Sequence, residues 1–231
     1  MRQCFSIGLF ALLVLSLPGC GGFRDTKPQL PGNLDTLCMP DYASGFEMYR
    51  YDSSTLLRIV NPWQGADSVS QWVFLSRDDE KPPKGFAGET IDVPVRRIVC
   101  MSSSYVAFLE ALGADSTICA ISGTGYIWSD KVRNRIAGGE IAEAGFDNSL
   151  NFEKLVALKP DVVFLYGLTG KNAVTDKLHE LGLKTVYIGD YVENNPLGRA
   201  EWITVFGEFT GRRELARTLF DSISNEYNRA K

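Results

Sequence analysis

The sequence predicts an α/β fold built on a doubly wound parallel sheet, with a β-hairpin extension before it. From Ile91 onward, short apolar runs alternate with amphipathic segments, which is the strand–helix alternation of a parallel sheet. Residues 151–167 show the pattern best, because Pro160 stops a short helix and an apolar run suited to a strand buried on both faces follows. The inward face of that helix is expected to carry Phe152, Leu155, Val156 and Leu158. Residues 44–90, in contrast, hold aromatic and β-branched runs separated only by turns, as in hairpins.

Residues 1–19 have the pattern of a signal peptide. Met1-Arg2 supplies the positive charge, and Ile7 to Leu17 is apolar but too short to span a bilayer. Leu17-Pro18-Gly19-Cys20 resembles a bacterial lipobox, in which the cysteine thiol is lipidated before cleavage. We expect the mature chain to begin at Cys20, anchored by acyl chains to a membrane of the bacterial envelope and facing the periplasm. The alternative is a plain secretory peptide with an incidental cysteine.

Residues 20–43 are expected to form a flexible tether, because residues 21–40 contain three Pro and three Gly among mostly polar residues. Residues 44–90 then carry three runs of strand composition, FEMYRY, TLLRIV and SQWVFL. We expect these runs to pair as hairpins and to pack as an antiparallel extension on the main sheet. A polar loop, residues 77–88, leads to the α/β unit.

Residues 91–199 form the predicted α/β lobe. Its strands are expected at 97–101, 117–122, 162–166 and 185–188, and its helices at 104–112, from 151 and at 173–181. Because ligands of parallel sheets bind outside the carboxyl ends of the strands, the four loops that follow the strands form the predicted binding region.

These loops carry the candidate ligand-binding residues. Ser104 is a natural N-cap, and the N–H groups of a helix start could hold a carboxylate or phosphate; the alternative is that the serines only cap the helix. In residues 123–128, two glycines are followed by the aromatics Tyr126 and Trp128. This pattern suits a flexible wall that lies against a flat ligand. The alternative is that the two aromatic side chains are buried in the core. Together the loops would form an aromatic rim with hydrogen-bonding groups. The loop candidates are Ser103, Ser104, Tyr126, Trp128, Tyr166 and Tyr191.

Residues 200–231 are predicted to form two amphipathic helices. The first covers residues 201–209, and its apolar face carries Trp202, Val205, Phe206 and Phe209. The second begins at Arg212, and its apolar face carries Leu215, Leu219, Phe220, Ile223 and Tyr227.

Composition and charge exclude several classes of protein. The chain has 24 basic and 28 acidic residues and a net charge of −4, without a Lys/Arg cluster that would follow a phosphate backbone, so nucleic acid is not an expected partner. A single His and the lack of a CxxC pair argue against a metal site. Cys100 and Cys119 lie in apolar runs and are expected to be buried thiols, whereas the state of Cys38 stays open.

The common catalytic motifs are missing from the sequence. There is no GxSxG elbow, GLTGKN is too short for a P-loop, and GTGYIW does not match a dinucleotide fingerprint. His179 lies in the polar part of a helix and is expected at the surface. Glu140, Glu143 and Asp147 are interpreted as a solvated acidic loop rather than as paired catalytic carboxylates. We therefore expect a binding protein that is not an enzyme and holds no cofactor.

Three blocks of the sequence, residues 96–123, 144–167 and 193–216, resemble one family. This family comprises the periplasmic substrate-binding proteins that capture ferric siderophores, haem or cobalamin for ABC importers. The resemblance implies two lobes joined by a rigid helix, with the ligand held between them. It also implies a lipoprotein that captures an iron complex (ferric siderophore or haem) or cobalamin and delivers it to a membrane permease. Iron complexes are favoured only because that class is the more numerous.

The resemblance also implies roles for particular residues. Glu153 matches an exposed acid that docks on an Arg cluster of the permease; a solvated charge on a helix face is the alternative. Aromatics near Tyr126 and around Phe146 fall where relatives touch ligand. For haem, an axial tyrosine would be needed, and Tyr126, Tyr166 and Tyr191 are available.

Members of this family continue with a second α/β lobe, whereas this sequence stops at Lys231, inside the segment that matches the interlobe helix. The resemblance therefore predicts a chain truncated after the N-terminal lobe, with one wall of a ligand site and an exposed apolar helix face. The alternative function is a lipid-anchored envelope interaction module that binds no small molecule.

Overall fold

The computed structural model describes residues 35–146, 149–167 and 173–231. The predicted signal peptide, Cys20 and most of the tether lie outside the described residues, as do Asp147 and the part of the third loop that contains Lys171. The described chain is α/β, with one mainly antiparallel sheet and one parallel sheet of five strands each.

The first sheet contains five strands in the order β1-β2-β3-β4-β5. The strands are β1 (Asp35–Cys38), β2 (Phe46–Tyr51), β3 (Ser54–Val60), β4 (Ser70–Ser76) and β5 (Glu89–Asp92). The predicted hairpins are confirmed, since β1 to β4 pair antiparallel, and β5 pairs parallel to β4. Buried and less buried residues alternate at the start of β2, whereas β3 lies inside the sheet and is buried at five of its seven positions.

This first sheet and the parallel sheet are separate in their backbone pairing, and the contact between them is made by side chains. The two sheets meet through the side chain of Gln71 on β4. Its Nε2 donates to the carbonyl of Thr185 at 2.8 Å, and its Oε1 accepts from the N–H of Tyr187 at 3.0 Å. A side-chain amide therefore takes the hydrogen bonds that a neighbouring strand would make, and the backbone ladder does not continue.

The second sheet is parallel throughout, in the order β10-β9-β6-β7-β8. Its strands are β6 (Ile98–Cys100), β7 (Ile118–Ile121), β8 (Ala142–Glu143), β9 (Val162–Leu165) and β10 (Thr185–Tyr187). All residues of β6, β7, β9 and β10 are buried, as the apolar runs predicted. The two-residue strand β8 was not predicted, because no apolar run marks it.

Seven helices surround this sheet in the described residues. They are α1 (Ser103–Ala111), α2 (Asp130–Ala137), α3 (Phe152–Leu158), α4 (Ala173–Glu180), α5 (Pro196–Glu201), α6 (Ile203–Thr210) and α7 (Arg213–Ala230). Helix α2 was not predicted, since only Val132 of its mostly polar sequence is buried. Within the ranges that the structure describes, no helix is both long and apolar enough to cross a bilayer.

Two local expectations about helices are wrong. The N-cap of α1 is Ser102, whose hydroxyl accepts from the N–H of Ser104, and not Ser104 itself. In α3, Leu155 is buried, but Val156 points outward and is 39% exposed. The reason is geometric, because a seven-residue helix packs on one side only, and Val156 follows Leu155 by about 100°.

The core centres on α6, which lies against the parallel sheet. The ring of Phe164 on β9 packs 5.0 Å from that of Phe206 and 4.9 Å from that of Phe209, and Trp202 is fully buried beside them. The predicted apolar face of α6 is therefore confirmed. Helix α7 buries Phe220, but the other members of its predicted apolar face are at least partly exposed, with Leu215, Ile223 and Tyr227 the most exposed.

Residues 41–45, which we call the strap, fix the first sheet to α5. The carboxylate of Glu201 accepts from the N–H groups of three strap residues at 2.8 Å each, and that of Glu193 accepts from the next two at 2.9 to 3.0 Å. Both glutamates are buried. The predicted flexible tether therefore ends earlier than residue 43, because β1 and the strap are held by hydrogen bonds.

Candidate functional site

An open cleft of ≈ 310 Å³ lies at the carboxyl ends of the parallel strands, where the sheet topology predicts a binding site. Its lining comes from the segments that follow β6, β7, β9 and β10, together with the segment after β8. The lining residues are Met101, Ser102, Ser103, Tyr105, Ser122, Tyr126, Phe146, Tyr166, Asp190 and Tyr191.

The floor of the cleft is held by Tyr105. This side chain is fully buried, and its hydroxyl lies 3.2 Å from the carbonyl of Leu165 and 3.1 Å from that of Ile188. These carbonyls end two adjacent strands, so one phenol fixes the position of both strand ends. Burial, followed by the nearby Asp190 carboxylate, holds the pKa of Tyr105 well above its ordinary value, and the phenol therefore stays a hydrogen-bond donor.

One wall of the cleft is aromatic. Tyr126 is 69% exposed and Phe146 is 50% exposed, and their rings pack edge to face with centroids 6.5 Å apart. The chain approaches closely at Gly123, whose φ is +75°; a Cβ there would lie 2.9 Å from the Tyr126 ring and 3.2 Å from the Phe146 ring. Only glycine therefore allows these two rings to meet in this position.

Glu143 holds this aromatic wall in place. Its carboxylate accepts from the N–H groups of Gly123 and Gly145 at 2.9 Å, and from the N–H and hydroxyl of Thr124 at 2.8 and 2.7 Å. The loops that carry Tyr126 and Phe146 are thus joined through one side chain. The interpretation of Glu143 as part of a solvated acidic loop is wrong, because the carboxylate is turned inward to these donors.

The protonation of Glu143 follows from these contacts. Burial favours the neutral acid and would raise its pKa, but the hydrogen bonds from Thr124, Gly123 and Gly145 outweigh burial and hold the pKa below its ordinary value. At neutral pH the side chain is therefore a carboxylate that can accept from all of its donors.

The opposite wall carries Tyr191 and Asp190. The Tyr191 hydroxyl donates to the carbonyl of Gly167, which joins the loops after β9 and β10. Asp190 is only 7% exposed. Its pKa is raised by burial, although hydrogen bonds from the Ser104 side chain and the Tyr191 backbone partly oppose the rise.

Most of the ligand-binding residues predicted from the sequence lie in this one cleft. Ser103, Tyr126, Phe146, Tyr166 and Tyr191 all line it. The structure does not bring the other two to its surface. Ser104 lies behind the lining, 3.0 Å from the Ser102 hydroxyl, and Trp128 is 90% exposed and lies outside the lining.

Sequence reasoning missed five lining residues: Met101, Ser102, Tyr105, Ser122 and Asp190. Met101 and Ser122 are the last residues of predicted strands, and the other three lie in the loop or helix start that follows a predicted strand, so position relative to the strand ends was the signal that could have found them. Asp190 lies in the last of the four predicted loops, but only serine and aromatic residues of these loops were chosen as candidates.

Glu153 is exposed in the first turn of α3. Since α3 runs back from the carboxyl edge of the sheet to the start of β9, Glu153 lies at the same edge as the cleft. Over the ranges that the structure describes, no group of three or more His, Cys, Asp or Glu side chains could hold a metal ion.

Comparisons with curated proteins find relatives that are longer than this chain. The uncharacterized lipoprotein MJ0878 of Methanocaldococcus jannaschii is 27% identical over 256 residues, which cover 97% of this chain and 61% of that protein. The uncharacterized lipoprotein MJ0872 of the same organism is 30% identical over 192 residues, which cover 81% of this chain and 46% of that protein. The chain thus spans about half the length of the relatives it matches.

Solved structures include partial matches. The periplasmic heme-binding protein HutB of Vibrio cholerae has a TM-score of 0.47 at 21% identity, over 57% of this chain and 48% of its own. A possible iron-binding, periplasmic solute-binding protein from Staphylococcus epidermidis has a TM-score of 0.47 at 22% identity, over 59% of this chain and 50% of its own.

The family model described as periplasmic binding protein matches residues 98–231. The match begins with β6 and includes the whole parallel sheet, every segment that lines the cleft, and α7. Since it covers more than half of the sequence, the chain belongs to the periplasmic binding protein family.

Proposed function

We propose that this chain supplies a wall of a solute-binding site that captures a metal chelate for an ABC importer. The chelate would be an iron complex, either a ferric siderophore or haem, or cobalamin. The observation that carries the proposal is the cleft itself, in which the exposed rings of Tyr126 and Phe146 face a rigid floor at the carboxyl edge of the sheet. Membership of the periplasmic binding protein family supports a solute-binding role.

The chemistry of the lining suits such a ligand. Large organic chelates offer flat or aliphatic surfaces, which pack against aromatic rings, and peripheral oxygens, which need a few placed hydrogen-bond partners. The cleft offers both kinds of contact, since serine hydroxyls lie at the start of α1 and tyrosines lie on three other loops. The wall is also fixed before a ligand arrives, because Glu143 and Tyr105 hold its loops, and this lowers the entropic cost of binding.

Titration of the chain with ferrichrome, haemin and cyanocobalamin tests the proposal, with isothermal titration calorimetry as the readout. We expect saturable binding of at least one chelate. The double variant Tyr126→Ala, Phe146→Ala should weaken it about tenfold or more, since two exposed rings are removed from the contact. Tyr227→Ala is the control, because it removes another exposed aromatic, which lies on α7 and outside the cleft. If none of the three chelates saturates the chain, the proposal fails and the envelope interaction module gains support.

We also propose that Glu153 docks on basic residues of the permease, since it is an exposed acid at the edge of the sheet that carries the cleft. An exposed charge pair at an interface governs the association rate more than the affinity. Glu153→Lys should therefore slow association of the loaded protein with its permease about tenfold at low salt, and the difference should shrink as salt is added. Glu226→Lys reverses another exposed acid, on α7, and serves as the control. Equal association rates for the two variants would refute this role.

Lipidation of Cys20 is proposed as the means of attachment to the envelope. It is supported by the sequence Leu17-Pro18-Gly19-Cys20, and the two relatives described above carry the name lipoprotein. Cys20→Ser should move the protein from the membrane fraction to the soluble fraction, and intact-protein mass spectrometry should show the loss of the acyl groups. Retention of the variant in the membrane would contradict the anchor.

A further inference from the structure

The charged side chains at the cleft are acidic. Among the ten described lining residues, Asp190 carries the one carboxyl side chain, and none is Lys, Arg or His. A second carboxylate, that of Glu143, lies behind the aromatic wall, where its donors are backbone N–H groups and one hydroxyl. The described part of the wall therefore presents negative charge, and none of its lining residues is a cation that could balance it.

Asp190 lies where a ligand would meet it. It is buried at the base of the wall, its side chain accepts a hydrogen bond from Ser104, and the Tyr191 backbone supports it from its own loop. Within the described ranges it forms no salt bridge. The guanidinium of Arg199 favours the ionised form of Asp190 from a distance, but it is exposed and its Nε donates to the carbonyl of Glu193 at 3.2 Å.

An unbalanced carboxylate in a concave, partly dehydrated site repels anions and attracts cations more strongly than it would in open water. A ligand with carboxylates or catecholate oxygens would lose hydration in this cleft and meet no basic side chain from the described lining. An uncharged or cationic ligand would not bear that cost. Charge complementarity of this kind selects between ligands of similar shape.

We propose that the cleft selects metal chelates of zero or positive net charge over anionic ones, and that Asp190 is the residue that sets this preference. The inference rests on the proposed function, and it narrows the ligand class within it. Uncharged and cationic hydroxamate complexes of ferric iron fit, as do corrinoids. Tricatecholate complexes, which are trianions, and haem, which carries two propionates, do not fit.

A panel of chelates graded by charge tests the inference. Ferrioxamine B is a cation, ferrichrome is neutral, and haemin and ferric enterobactin are anionic. We expect affinity to fall in that order, with the cation bound at least about tenfold more tightly than the trianion. This ranking uses the unmodified chain and depends on no variant. A ranking in which ferric enterobactin or haemin binds most tightly would overturn the inference.

The variant Asp190→Asn tests whether Asp190 sets the preference for uncharged and cationic chelates. Asparagine keeps the shape and can still accept from Ser104, but it removes the charge. We expect the ratio of cation to trianion affinity to fall roughly threefold to tenfold. Asp221→Asn, which neutralises an exposed acid on α7, should leave the ratio unchanged. An unchanged ratio in Asp190→Asn would remove Asp190 as the selecting residue.

The two proposals fail in different ways. If no member of the panel binds, the proposed function fails, whatever the charge of the cleft. If the anions bind most tightly, the chain remains a chelate-binding protein and only the charge preference is wrong.

Discussion

Removing the acceptors of Glu143 should loosen the aromatic wall of the cleft. In the variant Glu143→Gln, an amide group replaces one carboxylate oxygen and cannot accept a hydrogen bond. The least costly placement puts that group opposite Thr124, whose hydroxyl can rotate and accept instead, so one backbone N–H loses its partner. Loss of one charge-assisted hydrogen bond costs about 1.5 to 3 kcal/mol, and we expect the lower end because the site is only partly buried.

Urea denaturation followed by circular dichroism measures this change as a lower free energy of unfolding. The matched control is Glu140→Gln, which changes an acid close in sequence but removes only an exposed ion pair with Arg135, worth less than about 1 kcal/mol. Affinity for the bound chelate should also fall in Glu143→Gln, because Tyr126 and Phe146 are no longer held together. Equal unfolding free energies for the two variants would refute the assigned role of Glu143.

The hydrogen bonds to Glu143 also predict that the stability of the folded chain depends on pH. Because the pKa of Glu143 is lowered in the folded chain, its stabilisation is fully present above the pKa of an unfolded Glu, about 4.3. It is lost as the pH falls through the lower folded value. The difference in stability between the wild type and Glu143→Gln should therefore be constant near neutral pH and shrink in acid. A difference that grows in acid would contradict the direction of the pKa shift.

Three further changes have expected outcomes. Tyr105→Phe removes the donor shared by two carbonyls at the strand ends, of which that of Leu165 keeps the N–H of Ile188. Urea denaturation should show a loss of about 1 to 2 kcal/mol, with weaker chelate binding. Gln71→Ala leaves a backbone N–H and a carbonyl of β10 unpaired. We expect the free energy of unfolding to fall by about 2 to 3 kcal/mol and light scattering to show self-association. A monomer of unchanged stability would contradict this. Glu201→Ala removes the acceptor of three strap N–H groups. The amide hydrogens of residues 41–43 should then exchange at least about tenfold faster. Unchanged protection would show that other contacts hold the strap.

The architecture could be predicted because it depends on patterns that the sequence carries locally. Each of the four buried strands of the parallel sheet is an apolar run, and α6 repeats its apolar residues at helical spacing. Strand β8 could not be found in this way, because Ala142 and Glu143 form no run and join the sheet only through their contacts with β7. The link between the two sheets was also beyond reach, since the two hydrogen bonds of the Gln71 side chain to β10 depend on tertiary contact and leave no local pattern in the sequence.

The site was predicted in its position but less well in its members. The rule that ligands bind at strand ends located the loops, and five of the predicted residues line the cleft. Trp128 shares a loop with Tyr126, yet the short 3₁₀ turn from Thr124 to Tyr126 ends between them, and composition carries no sign of the resulting change in direction. Three consecutive serines were equally suited to cap α1, so that the choice of Ser102 depends on backbone angles rather than on residue type.

The strap determines how a mechanical load on the N-terminus would enter the fold. A pull on the chain ahead of β1 would first load the pairing of β1 with β2, and would then reach residues 41–45 before it reached the parallel sheet. The strap is fastened to Glu193 and Glu201. Glu193 also accepts from the indole N–H of Trp202 and lies three residues after Asp190. Tension would therefore be carried along the segment that leads from the wall of the cleft into α5 and α6. If the chain is tethered at Cys20, the anchor pulls on the part of the molecule that shapes its binding site.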